Sequence, residues 1–347
     1  MFMKSLWSGG RFAILFSIVL TAFTAYALLD TFVIPRRYAA AVPPQEETSA
    51  ALLKEEVPAP QINENASASS DNAVSPSDGT RRRHGKKHGV AETDNASPGT
   101  SENTQSSGTR SWSDENVSIT VTQYRAYDTD VYVADVTLSS PEYLKTAFAE
   151  NVYGRNVKDK TSAIAAEHNA ILAINGDYYG ARNSGYVIRD GILYRESGAG
   201  GDVLSVLADG SFRIDDDREV TARELLEAGA TQTFSFGPAL LKDGEITVAE
   251  GQEVGKAMVS NPRTAIGVVG KLHYVFVVAD GRTERSAGMS LYELADFLRG
   301  LGTETAYNLD GGGSSTMVFN GEIVNHPTTS GNSVKERSVS DIVYIGS

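Results

Sequence analysis

The sequence predicts an α+β fold, in which one globular domain is built mainly from antiparallel sheets with several interposed helices. Short segments that alternate between apolar and polar residues recur from Trp112 onward, as expected for strands with one buried face. Turn dipeptides at Asp190-Gly191, Asp209-Gly210 and Asn320-Gly321 divide several of these segments into hairpins. Only a few stretches have the spacing and caps of helices, so strands are expected to dominate.

The predicted elements follow one another along this domain. Strands are predicted for VSITVTQY, DVYVADVTL, AILAIN, the hairpins YVIRDGILYR and DVLSVLADGSFRI, the pair in RTAIGVVGKLHYVFVVAD, and TAYNLD, STMVF and SDIVYIG. Helices are predicted for PEYLKTAFAE and DKTSAIAAEHN. TARELLEAG begins with a capping box from Thr221 to Glu224, and SLYELADFLRGLG has a similar box at Ser290 and Glu293 and ends in glycine.

Composition limits the chemistry that the chain can perform. Its 347 residues, 22% charged and 41% hydrophobic, allow one or two domains with a sizeable core. Cysteine is absent from the sequence, which excludes a disulfide framework, a thiolate nucleophile and a cysteine-based metal site. The net charge is −13 and the acidic excess follows Trp112, so no nucleic-acid partner is expected.

Residues 1–37 are predicted to form an N-terminal signal anchor. The stretch FAILFSIVLTAFTAYALLDTFVI, residues 12–34, contains one charge and is long enough to span a bilayer as a helix. A cleaved signal peptide is the alternative, because Ala25-Tyr26-Ala27 resembles a signal-peptidase site. The apolar run continues past that site. This favours an uncleaved anchor, a single-pass protein of the cell membrane, and an extracytoplasmic C-terminal domain.

Residues 38–111 are predicted to be a disordered tether, because they are rich in Pro, Ser, Ala, Asn, Glu and Gly and nearly lack aromatic residues. The tether contains RRRHGKKHG, a basic cluster from Arg81 to Lys87 with one further histidine. This cluster is either a solvated group of charges or a contact with an anionic envelope polymer or lipid headgroups. The globular domain is expected to occupy residues 112–347.

The first candidate site motif is NLDGGGSSTM, which starts at Asn308. Asp310 ends a predicted strand, and the glycines after it allow the backbone to turn sharply and approach a ligand closely. Consecutive amides in such a turn can form an anion-binding nest, and Ser314 and Ser315 add hydroxyl donors. A carboxylate beside such a loop suits a sugar joined to a phosphate. The structural alternative is a tight turn that Asp310 caps.

Two further motifs place polar residues at strand ends. In INGDYYG, Asn175 and Asp177 follow a buried strand, and the two tyrosines after them have aromatic faces of the kind that line sugar sites. An Asx turn followed by core tyrosines is the alternative. In NPRTAIG, Arg263 and Thr264 begin a strand, and the Arg263 guanidinium could hold a phosphate through two parallel hydrogen bonds.

A fourth motif, VVADGRTERSAGMS, ends a strand with Asp280 and Arg282, which are site candidates or members of a type I turn. Glu293 is interpreted as the capping-box residue and not as a catalytic acid. The histidines fit no zinc spacing, and no EF-hand spacing is present. No metal site or cofactor is therefore expected, although aspartate-rich loops would suit a divalent cation such as calcium.

Four motifs together resemble the phosphodiester glycosidase family. INGDYYG, FGPAL, NPRTAIG and GMSLYELADFLRGLGTETAYNLDGGGSSTM occur in that order, and the resemblance covers roughly Val117 to Ile345. The family's best known member removes N-acetylglucosamine from a phosphodiester on mannose, and bacterial members are typically envelope proteins. The animal members use disulfides, which this chain lacks, so their substrate is not transferred to it.

The resemblance implies hydrolysis of a sugar-1-phosphodiester, here in an envelope glycan or glycopolymer. Asp177 and Asp310 would be the catalytic carboxylates, and Arg263 with the amides of the glycine loop would hold the leaving phosphate. The substrate- and phosphate-binding candidates are Asn175, Arg263, Thr264, Asp280, Arg282, Asn308, Gly311, Gly312, Ser314 and Ser315. A non-catalytic polysaccharide-binding module is the rival class and a purely structural envelope domain the third. The pair of carboxylates favours an enzyme.

Overall fold

The computed structural model describes residues 9–40, 105–253, 260–330 and 333–346. The helices in these ranges are α1 (Gly9–Phe32), α2 (Thr161–Glu167), α3 (Ala222–Glu227) and α4 (Leu291–Gly300). The strands are β1 (Arg36–Arg37), β2 (Gln105–Ser113), β3 (Val117–Ala126), β4 (Thr129–Leu138), β5 (Leu144–Phe148), β6 (Gly154–Arg155), β7 (Asp159–Lys160), β8 (Leu172–Asn175), β9 (Val187–Arg189), β10 (Ile192–Arg195), β11 (Asp202–Leu207), β12 (Phe212–Asp216), β13 (Ala230–Phe234), β14 (Ala239–Lys242), β15 (Glu245–Ile246), β16 (Arg263–Gly270), β17 (His273–Ala279), β18 (Thr305–Asn308), β19 (Met317–Phe319), β20 (Glu322–Ile323), β21 (Ser338–Val339) and β22 (Asp341–Ile345).

Two antiparallel sheets form the centre of the domain. The larger has the strand order β15-β14-β18-β16-β17-β4-β3-β2, and the smaller has the order β20-β19-β8-β22-β5. Side chains from both sheets share one core, to which the larger sheet contributes Phe276 and Tyr307 and the smaller contributes Ile174 and Val343. The predicted fold class, α+β with mainly antiparallel sheets, is confirmed.

Helix α4 covers the other face of the large sheet. Its N-cap Ser290 accepts from the Glu293 amide, and the Glu293 side chain bonds back to Ser290, so the predicted capping box is present. The buried positions Leu291, Leu294 and Leu298 recur at helical spacing and pack with apolar residues of β4 and β17. Burial on both faces explains why β17 reads as a nearly continuous apolar run.

One predicted helix, PEYLKTAFAE, is wrong. Its first residues form a short 3-10 turn, Pro141–Tyr143, and the rest is strand β5. The reason is tertiary, because β5 pairs with the C-terminal strand β22, from Leu144 opposite Ile345 to Phe148 opposite Asp341. That ladder satisfies the backbone of β5 and outweighs the helical preference of its alanines and lysine.

Helix α1 has the character of a membrane span. Within it, Ala13–Thr31 forms 19 residues that are long and apolar enough to cross a bilayer. Large apolar side chains such as Phe16 and Phe23 are more than half exposed, unlike those of a core helix. This finding fits the predicted anchor.

The post-helix segment, residues 33–40, lies against the domain. Strand β1 pairs antiparallel with β6, the Tyr38 amide donates to the Tyr153 oxygen at 2.9 Å, and the Asn156 side chain donates to the oxygens of Thr31 and Ile34, each at 3.2 Å. The disordered tether was predicted to begin at residue 38, whereas Tyr38 forms one of these contacts with the domain.

At the other end of the predicted tether, β2 begins at Gln105, seven residues before the predicted domain boundary, because it pairs with β3. The basic cluster from Arg81 to Lys87 lies outside the described residues.

Candidate active site

Asn175 closes strand β8 and ties three segments together. Its Nδ2 atom donates to the Asp310 backbone oxygen at 2.5 Å, and its Oδ1 atom accepts from the Thr264 hydroxyl at 2.8 Å and the Thr316 amide at 3.2 Å. Asn175 and Thr264 are fully buried. These two predicted binding residues therefore bond to the protein itself and position the loops around them.

Asp177 lies two residues beyond the end of β8, in the Asp177 loop (residues 176–178). Its carboxylate is buried, and its Oδ1 and Oδ2 atoms accept from the backbone amides of Tyr178 and Ser235, each at 2.6 Å. One donor is local and the other follows strand β13. Together they fix the orientation of the carboxylate without placing a positive charge on it.

A buried ion pair lies behind the Asp177 loop. Arg189 Nη2 donates to Asp341 Oδ2 at 2.7 Å, and both side chains are almost completely buried. Burial raises the pKa of Asp341 to about 7, although the charge of Arg189 lowers it. A Cβ atom on Gly176 would lie 2.7 Å from Asp341 Oδ1, so glycine is required for this close approach.

Asp310 follows strand β18, and its loop packs on the Asp177 loop. The Asp310 amide donates to the Gly176 backbone oxygen at 3.2 Å. The Asp310 carboxylate is 8% exposed and accepts from Arg337 Nη2 at 3.2 Å. The structure thus brings the two predicted catalytic aspartates into adjacent loops.

The surroundings of Asp310 act on its titration in opposite directions. Burial raises the pKa of Asp310, and the negative charge of Asp177 raises it further. The positive charge of Arg337 and hydrogen bonds from Ser314 and Gly311 lower that pKa. Because the charge of Asp177 reaches Asp310, the two carboxylates lie within electrostatic range of each other.

The glycine loop, residues 311–313, is required for close packing with three other segments. A Cβ atom on each glycine would crowd a different neighbour, namely Pro262 O at 2.8 Å from Gly311, Arg282 Nη2 at 2.9 Å from Gly312, and Thr329 Cα at 3.0 Å from Gly313. Gly312 also has a φ of +62°, which favours glycine.

The amides of this loop are mostly used within the protein. Gly312 donates to the Pro262 oxygen at 2.8 Å, Ser314 to Gly311 at 3.3 Å, and Ser315 to Gly312 at 3.1 Å. This arrangement differs from the predicted anion-binding nest. The 3-10 turn Gly312–Ser314 directs the Ser314 and Ser315 amides back onto the turn and not toward a ligand.

Three arginines lie near the glycine loop. Arg337 contacts the Ser314 hydroxyl oxygen through Nε at 3.0 Å and Nη2 at 2.7 Å, in addition to Asp310. Burial lowers the pKa of Arg282, and the charges of Arg337 and Arg263 lower it further. The guanidinium groups of Arg337 and Arg263 therefore each lie within electrostatic range of Arg282.

The three arginines differ in their partners. Arg263 pairs with Glu253 at 2.7 Å and donates to the Met289 oxygen at 2.8 Å, so this predicted phosphate ligand already has a carboxylate. Arg282 donates to the Thr329 oxygen at 2.6 Å and to Asn261 Oδ1 at 2.9 Å. Arg282 forms no ion pair with any carboxylate in the described part of the chain, and its Nε atom is buried there without a hydrogen-bond partner.

Two predicted site residues, Asp280 and Asn308, form no hydrogen bond with Asp177 or Asp310 in the described part of the chain. Asp280 accepts from the Asn325 side chain at 3.0 Å and the His326 amide at 2.9 Å, and Asn325 in turn donates to the Ser315 oxygen at 3.0 Å. Burial raises the pKa of Asp280. Asn308 donates to the Gly237 oxygen at 2.7 Å and so supports the FGPAL turn.

Four residues of this site were not predicted from the sequence: Glu253, Arg189, Arg337 and Asp341. Their pairing depends on the tertiary fold, since Arg189 and Asp341 are 152 positions apart and Arg337 and Asp310 are 27 apart. The one available signal was a carboxylate at the start of the otherwise apolar strand in SDIVYIG, because a buried charge requires a partner. Within the described ranges, no group of three or more His, Asp or Glu residues is placed to hold a metal ion.

Comparisons with known proteins identify the family to which the chain belongs. Residues 168–346 match the model of the phosphodiester glycosidase family, and this match covers just over half of the chain. The chain therefore belongs to the phosphodiester glycosidase family.

Individual relatives are similar over part of their length. The mouse N-acetylglucosamine-1-phosphodiester alpha-N-acetylglucosaminidase is 31% identical over 179 residues, which are 45% of this chain and 33% of the mouse protein. The human enzyme of the same name is 37% identical over 108 residues, 30% of this chain and 21% of its own. A prophage-derived protein of Bacillus subtilis is 31% identical over 182 residues, which are 50% of this chain and 28% of the Bacillus protein. The chain thus spans a third or less of these relatives.

The fold is also found in a solved structure. The zebrafish N-acetylglucosamine-1-phosphodiester alpha-N-acetylglucosaminidase catalytic domain, auto-inhibited by its pro-peptide, has a TM-score of 0.54 and 23% identity. The match covers 70% of this chain and 87% of the zebrafish chain. At this identity the match concerns the fold alone.

Proposed function

We propose that this protein is a hydrolase that releases a sugar from a sugar-1-phosphodiester. The observation that carries the proposal is the placement of two buried carboxylates, Asp177 and Asp310, in adjacent loops beside a group of arginines. Paired carboxylates serve glycoside hydrolysis, and guanidinium groups bind phosphate. Family membership supports the same reaction class, and the matched mouse and human enzymes are named for it.

Asp310 is the carboxylate that acts at the sugar carbon. The bond between the anomeric carbon and the phosphate oxygen breaks, its electron pair stays on that oxygen, and the phosphate leaves as a monoester. The oxygen of water bonds to the carbon, and one proton of that water passes to a carboxylate. Asp177, held by two backbone amides, stabilises the positive charge that develops on the sugar ring.

Arg282 and Arg337 bind the phosphate in this proposal. In the described part of the chain, Arg282 donates to two neutral oxygens, those of Thr329 and Asn261, and its buried Nε atom has no hydrogen-bond partner there. The positive charges of Arg263 and Arg337 add to the local potential at Arg282. This potential favours departure of the phosphate, because the negative charge on the phosphate increases when its bond to the sugar breaks. Gly311, Gly312, Ser314 and Ser315 shape the floor of this region.

The cellular setting follows from α1. An apolar helix long enough to span a bilayer suits a single-pass anchor that holds the domain outside the cytoplasm. The substrate would then be a glycan or glycopolymer of the cell envelope. The basic cluster from Arg81 to Lys87 would contact an anionic polymer of that envelope.

A substrate panel tests the proposal. The full chain, solubilised in a neutral detergent, is incubated with several sugar-1-phosphodiesters with and without a chelator, and released sugar and phosphomonoester are measured. We expect both products from at least one substrate, and the anomer formed first will tell direct attack by Asp310 from activation of water. Tight binding of an unreactive phosphodiester analogue without turnover of any substrate would instead support the non-catalytic binding module.

A further inference from the structure

A cavity that the proposed reaction does not use lies next to the Asp177 loop, with Tyr179 in its lining. Its volume is about 270 Å³, just below the range of about 300–1,000 Å³ that is typical of small-molecule sites. We call it the arginine–tyrosine pocket, and its lining includes Tyr38, Tyr153, Tyr179, Tyr194, Arg155, Arg182 and Arg195. This size suits one sugar ring.

The pocket is connected to the proposed catalytic centre through Ser235. Arg182 donates to the Ser235 backbone oxygen at 3.4 Å, and the Ser235 amide donates to Asp177 at 2.6 Å. The charge of Asp177 also acts on the pKa of Arg195. A ligand in the pocket would therefore lie next to a sugar held at the carboxylates.

Positive charge in the pocket is not neutralised by carboxylates. Arg195 donates to the backbone oxygens of Gly185, Tyr179 and Arg182, and Arg182 packs over the Phe236 ring at 4.8 Å. The Arg155 Nε atom is buried without a hydrogen-bond partner in the described ranges. Across those ranges none of the three forms an ion pair, in a chain whose net charge is −13.

The tyrosines supply the other half of a carbohydrate site. The Tyr153 and Tyr179 rings are stacked, with centroids 5.4 Å apart and planes 17° apart, and Tyr194 packs against Tyr153 at 5.0 Å. Tyr38, from the post-helix segment, packs on Tyr153 at 6.0 Å and is 46% exposed. Aromatic surface with a few charged donors is the usual lining of a site for a small polar ligand.

We propose that the arginine–tyrosine pocket binds a negatively charged sugar unit of the substrate, adjacent to the unit that is released. This inference rests on the proposed function for its connection to catalysis. It names the substrate class more narrowly, as an acidic glycan in which a sugar carboxylate lies one unit from the cleaved linkage. The guanidinium groups hold the anionic group, and the rings of Tyr38 and Tyr194, which are exposed at least in part and pack on the buried Tyr153, contact the sugar ring.

Direct binding tests the pocket without relying on hydrolysis. Glucuronate, glucose and glycerol phosphate are the probes, and their affinities for the detergent-solubilised full chain are measured by ligand-observed NMR. We expect glucuronate to bind, glucose to bind at least tenfold more weakly, and the glucuronate affinity to fall with rising salt. Arg155→Gln and Arg182→Gln should each weaken glucuronate binding about tenfold.

Matched controls separate the pocket from the rest of the surface. Arg223→Gln makes the same chemical change at an arginine that pairs with Glu196 outside the pocket lining, and should leave glucuronate binding unchanged. Arg223→Gln should also leave unchanged the turnover of a small sugar-1-phosphodiester whose sugar is uncharged. Arg155→Lys, which keeps the charge, retains part of the affinity and provides a second test where the glutamine variant folds poorly.

The outcomes distinguish this inference from the proposed function. Arginine-dependent glucuronate binding without turnover of any phosphodiester would sustain the pocket and overturn the proposed reaction. Turnover of small substrates without glucuronate binding would overturn the assignment of the arginine–tyrosine pocket and leave the proposed reaction in place. Arginine-dependent binding of glycerol phosphate in place of glucuronate would identify a lipid-headgroup site, which also overturns the sugar assignment.

Discussion

Asp310 is the residue on which the proposed chemistry depends most. Asp310→Asn preserves the shape of the side chain and removes its negative charge, so the transition state at the sugar carbon loses its carboxylate. We expect turnover to fall roughly 10⁴-fold, while an unreactive phosphodiester analogue still binds. Turnover, analogue affinity and Tm are measured on the same preparation. Near-normal turnover by a folded variant would leave Asp310 as the cap of a turn.

Arg337 lowers the pH at which Asp310 loses its proton, against the larger effect of burial. Its positive charge opposes the burial that raises the pKa of Asp310, so Arg337→Gln should raise that pKa. The acidic limb of the kcat/KM profile should then move to higher pH, and Arg337→Lys should move it less because the charge remains. An acidic limb at the same pH in all three proteins would show that Arg337 does not act through Asp310.

Gly312 combines a left-handed backbone with a close contact. Gly312→Val introduces a β-branched side chain at φ +62° and places its Cβ near Arg282 Nη2. We expect a stability loss of about 1–3 kcal/mol and weaker binding of the phosphodiester analogue. Gly244→Val is the matched control, because Gly244 has φ +77° and open space around its missing Cβ. Equal analogue binding by both variants would argue against a phosphate site at Arg282.

The candidate site could be predicted from the sequence where local pattern carries the information. Asp177 and Asp310 each follow an apolar strand and lie next to glycine, and the structure places them in adjacent loops, while their catalytic role stays a prediction. Arg337 could not be found in this way, because its contacts with Asp310 depend on the fold of an irregular segment before β22. Asn175 and Thr264 were identified as site residues, but burial and their mutual hydrogen bond give them a positioning role.

At the scale of elements, hairpins and capped helices were the most predictable. The turns at Asp190-Gly191 and Asp209-Gly210 connect paired strands, and the boxes at Thr221 and Ser290 begin helices. Their determinants lie within a few residues of one another. Strand β5 could not be predicted because its partner β22 is almost 200 residues away.

Strand β22 begins with a carboxyl group that should make stability depend on pH. The pKa of Asp341 rises from 3.8 in the unfolded chain to about 7 in the fold. Between these values the folded protein keeps a proton that the unfolded chain has released, so stability falls as pH rises from about 4 to 7. One such proton limits the slope to about 1.4 kcal/mol per pH unit.

The comparison of wild type with Asp341→Asn isolates this effect. The difference in unfolding free energy, wild type minus variant, should decrease from pH 4 to 7 in urea titrations. Asp216→Asn is the control, because Arg218 lowers the pKa of that partly exposed carboxyl to about 2 and its titration falls below this window. A difference that stays flat across the window would refute the assignment.

At the scale of the whole molecule, two truncations test the role of the post-helix segment. Removal of residues 1–32 keeps β1 and Tyr38, whereas removal of residues 1–40 deletes one wall of the arginine–tyrosine pocket. Both should turn over a small sugar-1-phosphodiester with an uncharged sugar equally, and only the longer truncation should lose most of its glucuronate affinity. Undiminished binding by the longer truncation would exclude a role for Tyr38, and Tm values check that both proteins fold.

The pairing of β1 with β6 changes what a proteolytic cut would do to a protein held in a membrane by α1, as proposed above. The chain contacts the domain at β1 and again at β2, and residues 41–104 lie between these two contacts in the sequence. A single cut among those residues would sever the covalent link between α1 and the domain. Non-covalent contacts would remain, namely the β1–β6 ladder, the Arg37–Glu150 ion pair, the Tyr38–Tyr153 contact and hydrogen bonds from Asn156, so release of the domain would depend on their dissociation rate.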